Sequence, residues 1–431
     1  MNYMKAIQFL EYEVGFASIP GLSRIQALLQ RLGNPQERLE YIHIAGTNGK
    51  GSAATMLTNI LQQNGYHVGR YTSPHLARYN ERITIDHVEI SDTDFADAIS
   101  EMRIHCDAMR AAGEDVPTLF EILTAAAFYY FSKHQVDIVI LEVGLGGTYD
   151  ATNVIKKPLL SLIMSISIDH TDFLGNTIEE IASEKCGIIK ENCPVVLYSQ
   201  QEIVYNIAKA KAAQLHAPLY YISNHQIAVH KQDFEGTCFS VENDLISYKN
   251  IMLTLLGDYQ IQNCVTVLEA CAVLQKQGLH LEESKIRNAL SHTHWEGRME
   301  VLHQNPIVLL DGAHNVDGIS QLASTLPTYA QGRKITLLLG VLGDKEYQQM
   351  LSKIFPLISF AVLTEPQSHR KLDANILQQY AAAYDKPLLV EPDIAKAYEI
   401  AYMRTAPQDM IVCCGSLYMI GALRSHILSC S

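Results

Sequence analysis

Residues 42–52 read IHIAGTNGKGS, and this stretch decides the fold. Ile42, Ile44 and Ala45 before Gly46 suit a buried strand, and the residues after Gly51 suit a helix. Between them lies a glycine-rich turn whose amides are free to point at phosphate oxygens, with the partial positive charge of a helix start beside them. Asn48 and Gly49 sit in that turn, Gly51 separates Lys50 from Ser52, Lys50 supplies a full cation for phosphate, and Ser52 offers a hydroxyl to phosphate or metal. The strict Walker spacing is absent, because Ile44 stands where that pattern has glycine. The bland alternative is an ordinary strand-to-helix turn with a surface lysine. A dinucleotide fingerprint is disfavoured, since no G-x-G-x-x-G occupies this first turn.

Working outward, apolar runs at Tyr41–Ala45, Val68–Thr72, Val136–Val143, Leu159–Ile168 and Val195–Tyr198 alternate with helical stretches near Ala53–Asn64, Asp94–Ala112 and Thr118–His134. Strands apolar on both faces, alternating with helices, predict a parallel sheet covered by helices. Residues 226–257 alternate at period two between turn residues, which predicts a small antiparallel addition. Helices follow at about Tyr259–Gln277 and Leu281–His292. After Trp295 a second series supplies strands at Pro306–Leu310, Lys334–Leu339, Ile358–Thr364, Pro387–Val390 and Met410–Cys414. The longest apolar runs, Leu159–Ile168 and Met410–Leu423, read as buried strands. The expected fold class is α/β: a P-loop parallel-sheet ATPase domain over residues 1–296, then a smaller Rossmann-like α/β domain over 297–431.

Composition narrows the function. With 33 Lys plus Arg against 46 Asp plus Glu, the net charge of −13 denies this chain the broad positive field of a nucleic-acid binder. No uncharged apolar run reaches the ~20 residues a membrane span requires. Glu11 and Glu13 break the only signal-like stretch, so a cytoplasmic, non-membrane protein is expected. Nine cysteines without a CxxC pair read as buried free thiols. Seventeen histidines show no HExxH and no zinc-finger spacing, so most should be surface or capping residues.

The second informative segment is Val136–Val143, VDIVILEV, followed by GLGGTYDATN. Glu142 closes an apolar strand, where a buried carboxylate is costly unless paired or bound to a metal. In a phosphate-loop protein the partner is usually Mg²⁺, which takes hard oxygen ligands. Asp150 and Asn153 are further polar candidates, with a helix cap the alternative for Asp150. His170 ends the run LLSLIMSISIDH, and all these strand ends should open on one carboxyl edge of a parallel sheet.

Taken together, these motifs closely resemble the folylpolyglutamate synthase and dihydrofolate synthase family, relatives of the Mur ligases. The resemblance rests on IHIAGTNGKGS at 42–52, YTSPHLARYNERI at 71–83, ILEVGLGGTYDATNVI at 140–155 and SISIDHTDFLG at 165–175. It continues through EKCGIIK at 184–190, GDYQIQN at 257–263, EGRME at 296–300, LDGAHN at 310–315 and CGSLY at 414–418. It implies an ATP-dependent amide ligase. ATP phosphorylates a carboxylate of dihydropteroate or of a reduced folate, and L-glutamate's amine attacks the acyl phosphate. By the same resemblance Ser73, Glu142 and His170 match magnesium ligands, and Lys185 matches a lysine that is carboxylated. Asn263, Arg298 and Asp311 match ATP contacts, so the nucleotide is expected to be gripped by both domains. Thr118, Leu119, Phe120, Glu121, Tyr149, Asp150 and Ala151 match a dihydropteroate-contacting set, and His314 is a further substrate candidate. A monomer is expected. Thr148-Tyr149 replaces the commoner Arg-Leu, and Tyr259 stands where many members have His. The nearest rival, a peptidoglycan Mur ligase, would carry an extra domain before the phosphate loop, and only 40 residues precede Tyr41. A nucleotide-switch binding module is the rival from another class, disfavoured by Arg298 and LDGAHN.

Overall fold

The computed structural model describes residues 1–14 and 20–430. The chain forms two compact units. One comprises residues 1–226, 241–248 and 263–290, and the other residues 227–240, 249–262 and 291 onward.

The first unit is built on eight strands: β1 Glu40–Ala45, β2 Val68–Tyr71, β3 Ile83–Ile85, β4 Val88–Glu89, β5 Ile138–Glu142, β6 Leu160–Ile163, β7 Val195–Leu197 and β8 Leu219–Tyr221. Their order is β4-β3-β2-β5-β1-β6-β7-β8. From β2 to β8 all neighbours are parallel, while β3 and β4 add an antiparallel edge. The central strands β2, β5, β6 and β7 are buried along their whole length, as the uninterrupted apolar runs require. On one face Tyr41, Tyr71, Val139 and Leu141 pack with Phe95, Ile99, Phe128 and Phe131 of helices Asp92–Ala111 and Leu119–Lys133. Elsewhere Ile163, Val195 and Leu197 pack with Ile181, Val204 and Ala208 of helices Ile178–Lys185 and Glu202–Gln214.

This order places a switch point at β1. The helix Lys50–Gln63 carries the chain from β1 past β5 to β2, whereas β6 lies on the other side of β1. In open parallel sheets a crevice opens at the carboxyl ends of strands where the winding reverses. Glu142 pairs with Ile44 across the ladder, and Ile163 with Ala45, so the ends of β5, β1 and β6 are adjacent.

Strands β9 Gln226–Asp233, β10 Gly236–Glu242 and β11 Ser247–Leu253 form a separate three-stranded sheet. Connections this short join only antiparallel neighbours, so the expectation for 226–257 is met. The second unit's sheet contains β12 Glu300–Gln304, β13 Ile307–Leu310, β14 Ile335–Leu339, β15 Phe360–Leu363, β16 Leu388–Val390 and β17 Met410–Cys414. Its order is β12-β13-β17-β14-β15-β16, parallel apart from β12. Leu309, Val412, Leu337 and Leu363 meet Leu322, Leu326, Met350 and Leu377 in its core.

Two sequence expectations need correction, and one strand was not foreseen. The run Met410–Leu423 is strand only to Cys414; helix Leu417–Cys430 begins after Gly415, whose φ of 110° turns the chain. Leu159–Ile168 is strand only over Leu160–Ile163, because the backbone beyond bonds to the phosphate loop instead of to neighbouring strands. Strand β12 escapes sequence reading because, as an edge strand, it is only partly buried and carries no continuous apolar run. The thiols of Cys106, Cys186, Cys193, Cys264, Cys271, Cys413 and Cys414 are free and buried, as expected, and Cys238 is half-buried. Among the described residues no helix is long and apolar enough to cross a membrane.

Candidate active site

The phosphate loop leaves β1 through Gly46, whose φ is 151°. A side chain there would drive a Cβ to 2.8 Å from that of Met164, so only glycine fits. The loop is braced from the segment after β6. Thr47 N donates to Ser165 O at 2.7 Å, and the Thr47 hydroxyl both donates to Ser167 O and accepts from Ser167 N, each at 3.1 Å. Gly49 caps the helix in left-handed conformation, φ 85°, and a Cβ on it would lie 2.7 Å from Asn263 Oδ1. Asn263 thus presses its amide against the loop, which places this ATP-contact candidate beside Asn48, Gly49 and Gly51. The helix starts at Lys50, three residues earlier than the pattern suggested, so Lys50 and Ser52 lie in its first turn. Ser52 is buried.

Two lysines converge on one carbonyl. Lys50 Nζ donates to Gly46 O at 2.9 Å and to Thr47 O at 3.1 Å. Lys185, buried at 5% exposure, also donates its Nζ to Gly46 O, at 3.0 Å. Burial, and next the Lys50 charge, pull the Lys185 ammonium down to about 7. A substantial fraction of Lys185 is therefore a neutral amine at neutral pH, unlike an ordinary lysine.

At the acidic strand end Glu142 and Ser73 meet. Glu142 is 4% exposed at the end of β5, and its Oε2 accepts from Ser73 N at 3.1 Å. A buried carboxylate and, on the residue bonded to it, a serine hydroxyl are hard-oxygen donor types that fit Mg²⁺. Among the described residues no three His, Cys, Asp or Glu side chains cluster as a metal site, so phosphate oxygens and water would have to complete the shell. His170 does not end a strand. It lies seven residues past Ile163, at φ 52°, and caps the short helix Thr171–Leu174. The intervening residues are those that brace the phosphate loop.

The GLGGTYD turn after β5 interlocks with its surroundings. A Cβ on Gly144 would enter the Phe120 ring, and one on Gly147 the Glu184 carbonyl. Thr148 N donates to Glu184 O at 3.0 Å, and Asn153 Nδ2 donates to Thr148 O and Gly187 O. Asp150 is buried. Its Oδ2 accepts from Gly144 N and Leu145 N at 3.0 and 2.9 Å, and its Oδ1 from Thr152 N at 3.0 Å. Burial raises its pKa against these hydrogen bonds. Ala151 is buried behind it, whereas Tyr149 is 57% exposed. Thr118 caps helix Leu119–Lys133 in a reciprocal box with Glu121, whose Oε2 accepts from Thr118 N at 2.7 Å and from Arg24 Nε at 3.0 Å. Leu119 is buried in the core. Of the substrate candidates, Glu121 and Asp150 thus hold local structure, Phe120 packs the turn, and Tyr149 alone is largely exposed.

In the second unit the EGRME and LDGAHN motifs meet. Asp311, directly after β13, is 3% exposed; its Oδ2 accepts from Met299 N at 2.9 Å and Tyr259 OH at 3.3 Å, and its Oδ1 from Ala313 N at 2.8 Å. Burial raises its pKa, opposed chiefly by the Arg298 charge. The Arg298 guanidinium lies over Gly312, leaving no room for a Cβ. His314 Nδ1 is 2.7 Å from Gly312 O. Beneath, the buried Glu300 takes Arg424 Nε at 3.0 Å and Gly297 N at 2.9 Å. Arg298, Asp311 and His314 are therefore brought together.

Sequence reading missed the Arg24–Glu121 pair and a buried histidine, His43, in β1. Their only sequence signal was a polar residue inside an apolar pattern.

Comparison with known proteins completes the picture. Residues 44–271 match the Mur ligase middle domain, and residues 297–417 the Mur ligase, glutamate ligase domain. The dihydrofolate synthase/folylpolyglutamate synthase of Bacillus subtilis is 35% identical over 432 residues, covering 99% of each chain. A Mycobacterium tuberculosis folylpolyglutamate synthase, solved in complex with ADP and AMPPCP, superposes with a TM-score of 0.89 at 31% identity, covering 99% of both chains. Escherichia coli FolC, solved with DHPP and ADP, gives a TM-score of 0.89 at 26% identity over 100% of this chain and 98% of that one. The phosphate loop, the acidic strand end and the Arg298–Asp311 cluster sit on a fold and a sequence shared end to end with these enzymes, and the chain belongs to the folylpolyglutamate synthase and dihydrofolate synthase family of Mur ligases.

Proposed function

We propose that this chain uses ATP to join L-glutamate to folates, and to dihydropteroate as well, through an acyl phosphate. The observation that carries the reading is the phosphate loop with Lys50, Lys185 and Asn263 gathered on it. Lys50 and the loop amides hold the phosphates; phosphoryl transfer depends on such positioning and charge neutralisation. Ser73, Glu142 and His170 would hold Mg²⁺, which when bound neutralises charge on the transferring phosphate. The substrate carboxylate takes the γ-phosphoryl group, and glutamate's amine then displaces phosphate. Arg298, Asp311 and Asn263 bind ATP, while Phe120 and the Tyr149–Ala151 turn receive the pterin. The division into an ATP-binding domain, 1–296, and a glutamate-ligase domain, 297–431, is supported by the spans of the two family matches.

The test is an assay of phosphate release from ATP, with glutamate and, in separate arms, dihydropteroate or tetrahydrofolate. Release should require glutamate together with a pteroyl substrate in both arms. Release independent of both would overturn the reading, and activity in one arm alone would restrict it to that substrate.

Lys185 is proposed to work as a carbamate. A neutral amine adds CO₂ to give R–NH–COO⁻ and one proton, and its depressed pKa makes that amine available. Acidification below about 7 should reverse the modification by protonating the amine. Protein equilibrated with ¹³C-bicarbonate at pH 8 should show a carbamate carbon resonance that Lys185→Ala lacks. The same resonance in both proteins would sink the assignment.

Arg298→Ala is expected to weaken ATP binding by roughly 10- to 10²-fold, the loss of a charged hydrogen bond. Equilibrium dialysis against labelled nucleotide measures this directly. Unchanged affinity would remove Arg298 from the nucleotide site.

A further inference from the structure

His43 lies in the middle of β1, paired with Leu141 on one side and Ser161 on the other, and is 0% exposed. Nothing in the ligation chemistry calls for a histidine three residues before the phosphate loop. Its Nε2 is 2.8 Å from Thr152 Oγ1, which in turn donates to Asp150 Oδ1 at 2.5 Å. Asp150 then receives Gly144 N and Leu145 N on its other oxygen. A continuous chain of hydrogen bonds thus joins the strand of the phosphate loop to the turn after β5.

With Asp150 ionised, as its three backbone N–H donors favour, the proton inventory of this network runs one way. An ionised carboxylate only accepts, so Thr152 must give its single hydroxyl proton to Asp150. The Thr152 oxygen can then only accept from His43, which puts a hydrogen on the imidazole Nε2. Nδ1 has no hydrogen-bond partner among the described residues, as suits a bare lone pair better than an N–H, since orphaned buried donors are the rarer kind. Burial, reinforced by the Lys190 charge, disfavours the imidazolium, in agreement.

We propose that His43 is a positioning residue for the ligation reaction: its Nε2–H locks the Thr152 hydroxyl onto Asp150 and so holds the Gly144–Ala151 turn in its substrate-receiving shape. The proposal rests on the reading of that turn as part of the folate site. It does not place His43 in contact with any substrate. Its effect should therefore fall on the pteroyl substrate and spare ATP, although His43 is closer in sequence to the phosphate loop.

The experiment uses the full chain and three variants. His43→Leu removes the donor. His43→Gln restores a donor at about the reach of Nε2. Asp150→Asn weakens the carboxylate's acceptance of two N–H groups and a hydroxyl. His43→Leu should raise the KM for tetrahydrofolate roughly three- to tenfold, the worth of one hydrogen bond, with the KM for ATP within about twofold. His43→Gln should return the folate KM to near the unaltered value. ¹⁵N-labelled histidine in the unaltered protein should show the Nε2–H tautomer for His43 at neutral pH. An Nδ1–H tautomer or an imidazolium overturns the proposal, and this readout holds even if His43→Leu fails to fold. A folded His43→Leu with both KM values unchanged, or raised together, overturns it too. A folded Asp150→Asn with unchanged folate KM would instead reject the turn as a folate site, whatever the tautomer.

Discussion

Lys50→Ala should lower ligation by at least about 10²-fold, the scale of losing one strong donor to transition-state charge, and leave the fold intact. Lys50 is half-buried, in the first turn of its helix, and its Nζ bonds to two carbonyls of its own loop in the contacts to Gly46 and Thr47 described above. Those bonds contribute little to folding, of the order of 1 kcal/mol each. ATP would draw the ammonium onto phosphate, where its charge counts most. A second effect adds to the first. The Lys50 charge helps depress the Lys185 pKa, so its loss lets Lys185 hold its proton more tightly and lowers the share of free amine. Lys50→Arg should not rescue, because a planar fork cannot reproduce a compact ammonium on the same two carbonyls. Turnover in a single-turnover assay, together with thermal unfolding, checks this. Near-normal turnover in a folded Lys50→Ala protein would overturn the phosphate-loop assignment.

Glu142→Ala should raise the Mg²⁺ concentration needed for half-maximal activity by more than His170→Ala does, and by about tenfold or more if one charge-assisted contact is lost. The carboxylate is anionic and buried, whereas the imidazole is a neutral ligand on an exposed turn. Stability gives an independent sign. Without metal, Glu142→Ala removes a buried anion whose desolvation is costly, so the apo protein should lose little stability. With metal, the unaltered protein gains by mass action, and Glu142→Ala should lose most of that gain. Glu142→Gln keeps an acceptor for Ser73 N and isolates the charge. Titration of Tm against Mg²⁺ measures all three. A gain of Tm with Mg²⁺ that is identical in Glu142→Ala and the unaltered chain would remove Glu142 from the metal site.

The phosphate loop and the acidic strand end were legible because both are local. Strand, glycine turn and helix follow within a dozen residues, and Gly46, Gly49, Gly144 and Gly147 mark places where the backbone has no room for a Cβ. The sheet was legible for a similar reason, since strands buried on both faces leave unbroken apolar runs. What failed was of longer range. His170 reads as a strand end until the partner of residues 165–167 is known, and that partner, Thr47, is 120 residues away from Ser167. The Arg24 partner of Glu121, 97 residues earlier, is likewise invisible in the local sequence. His43 and Thr152 are 109 residues apart and leave no periodic mark. The two halves of such pairs lie about a hundred residues apart, so no window of sequence contains both.

The interlocked turn after β5 bears on how this enzyme could be diversified. Phe120, the Glu184 carbonyl and Thr148 stand where side chains on Gly144, Gly147 and Gly187 would have to go. Random substitution at those three sites should yield misfolded clones. Tyr149, in the same turn, points most of its surface outward and bears no such load. A library that varies Tyr149 and fixes its glycine neighbours would search different aromatic acceptors while keeping the scaffold that presents them.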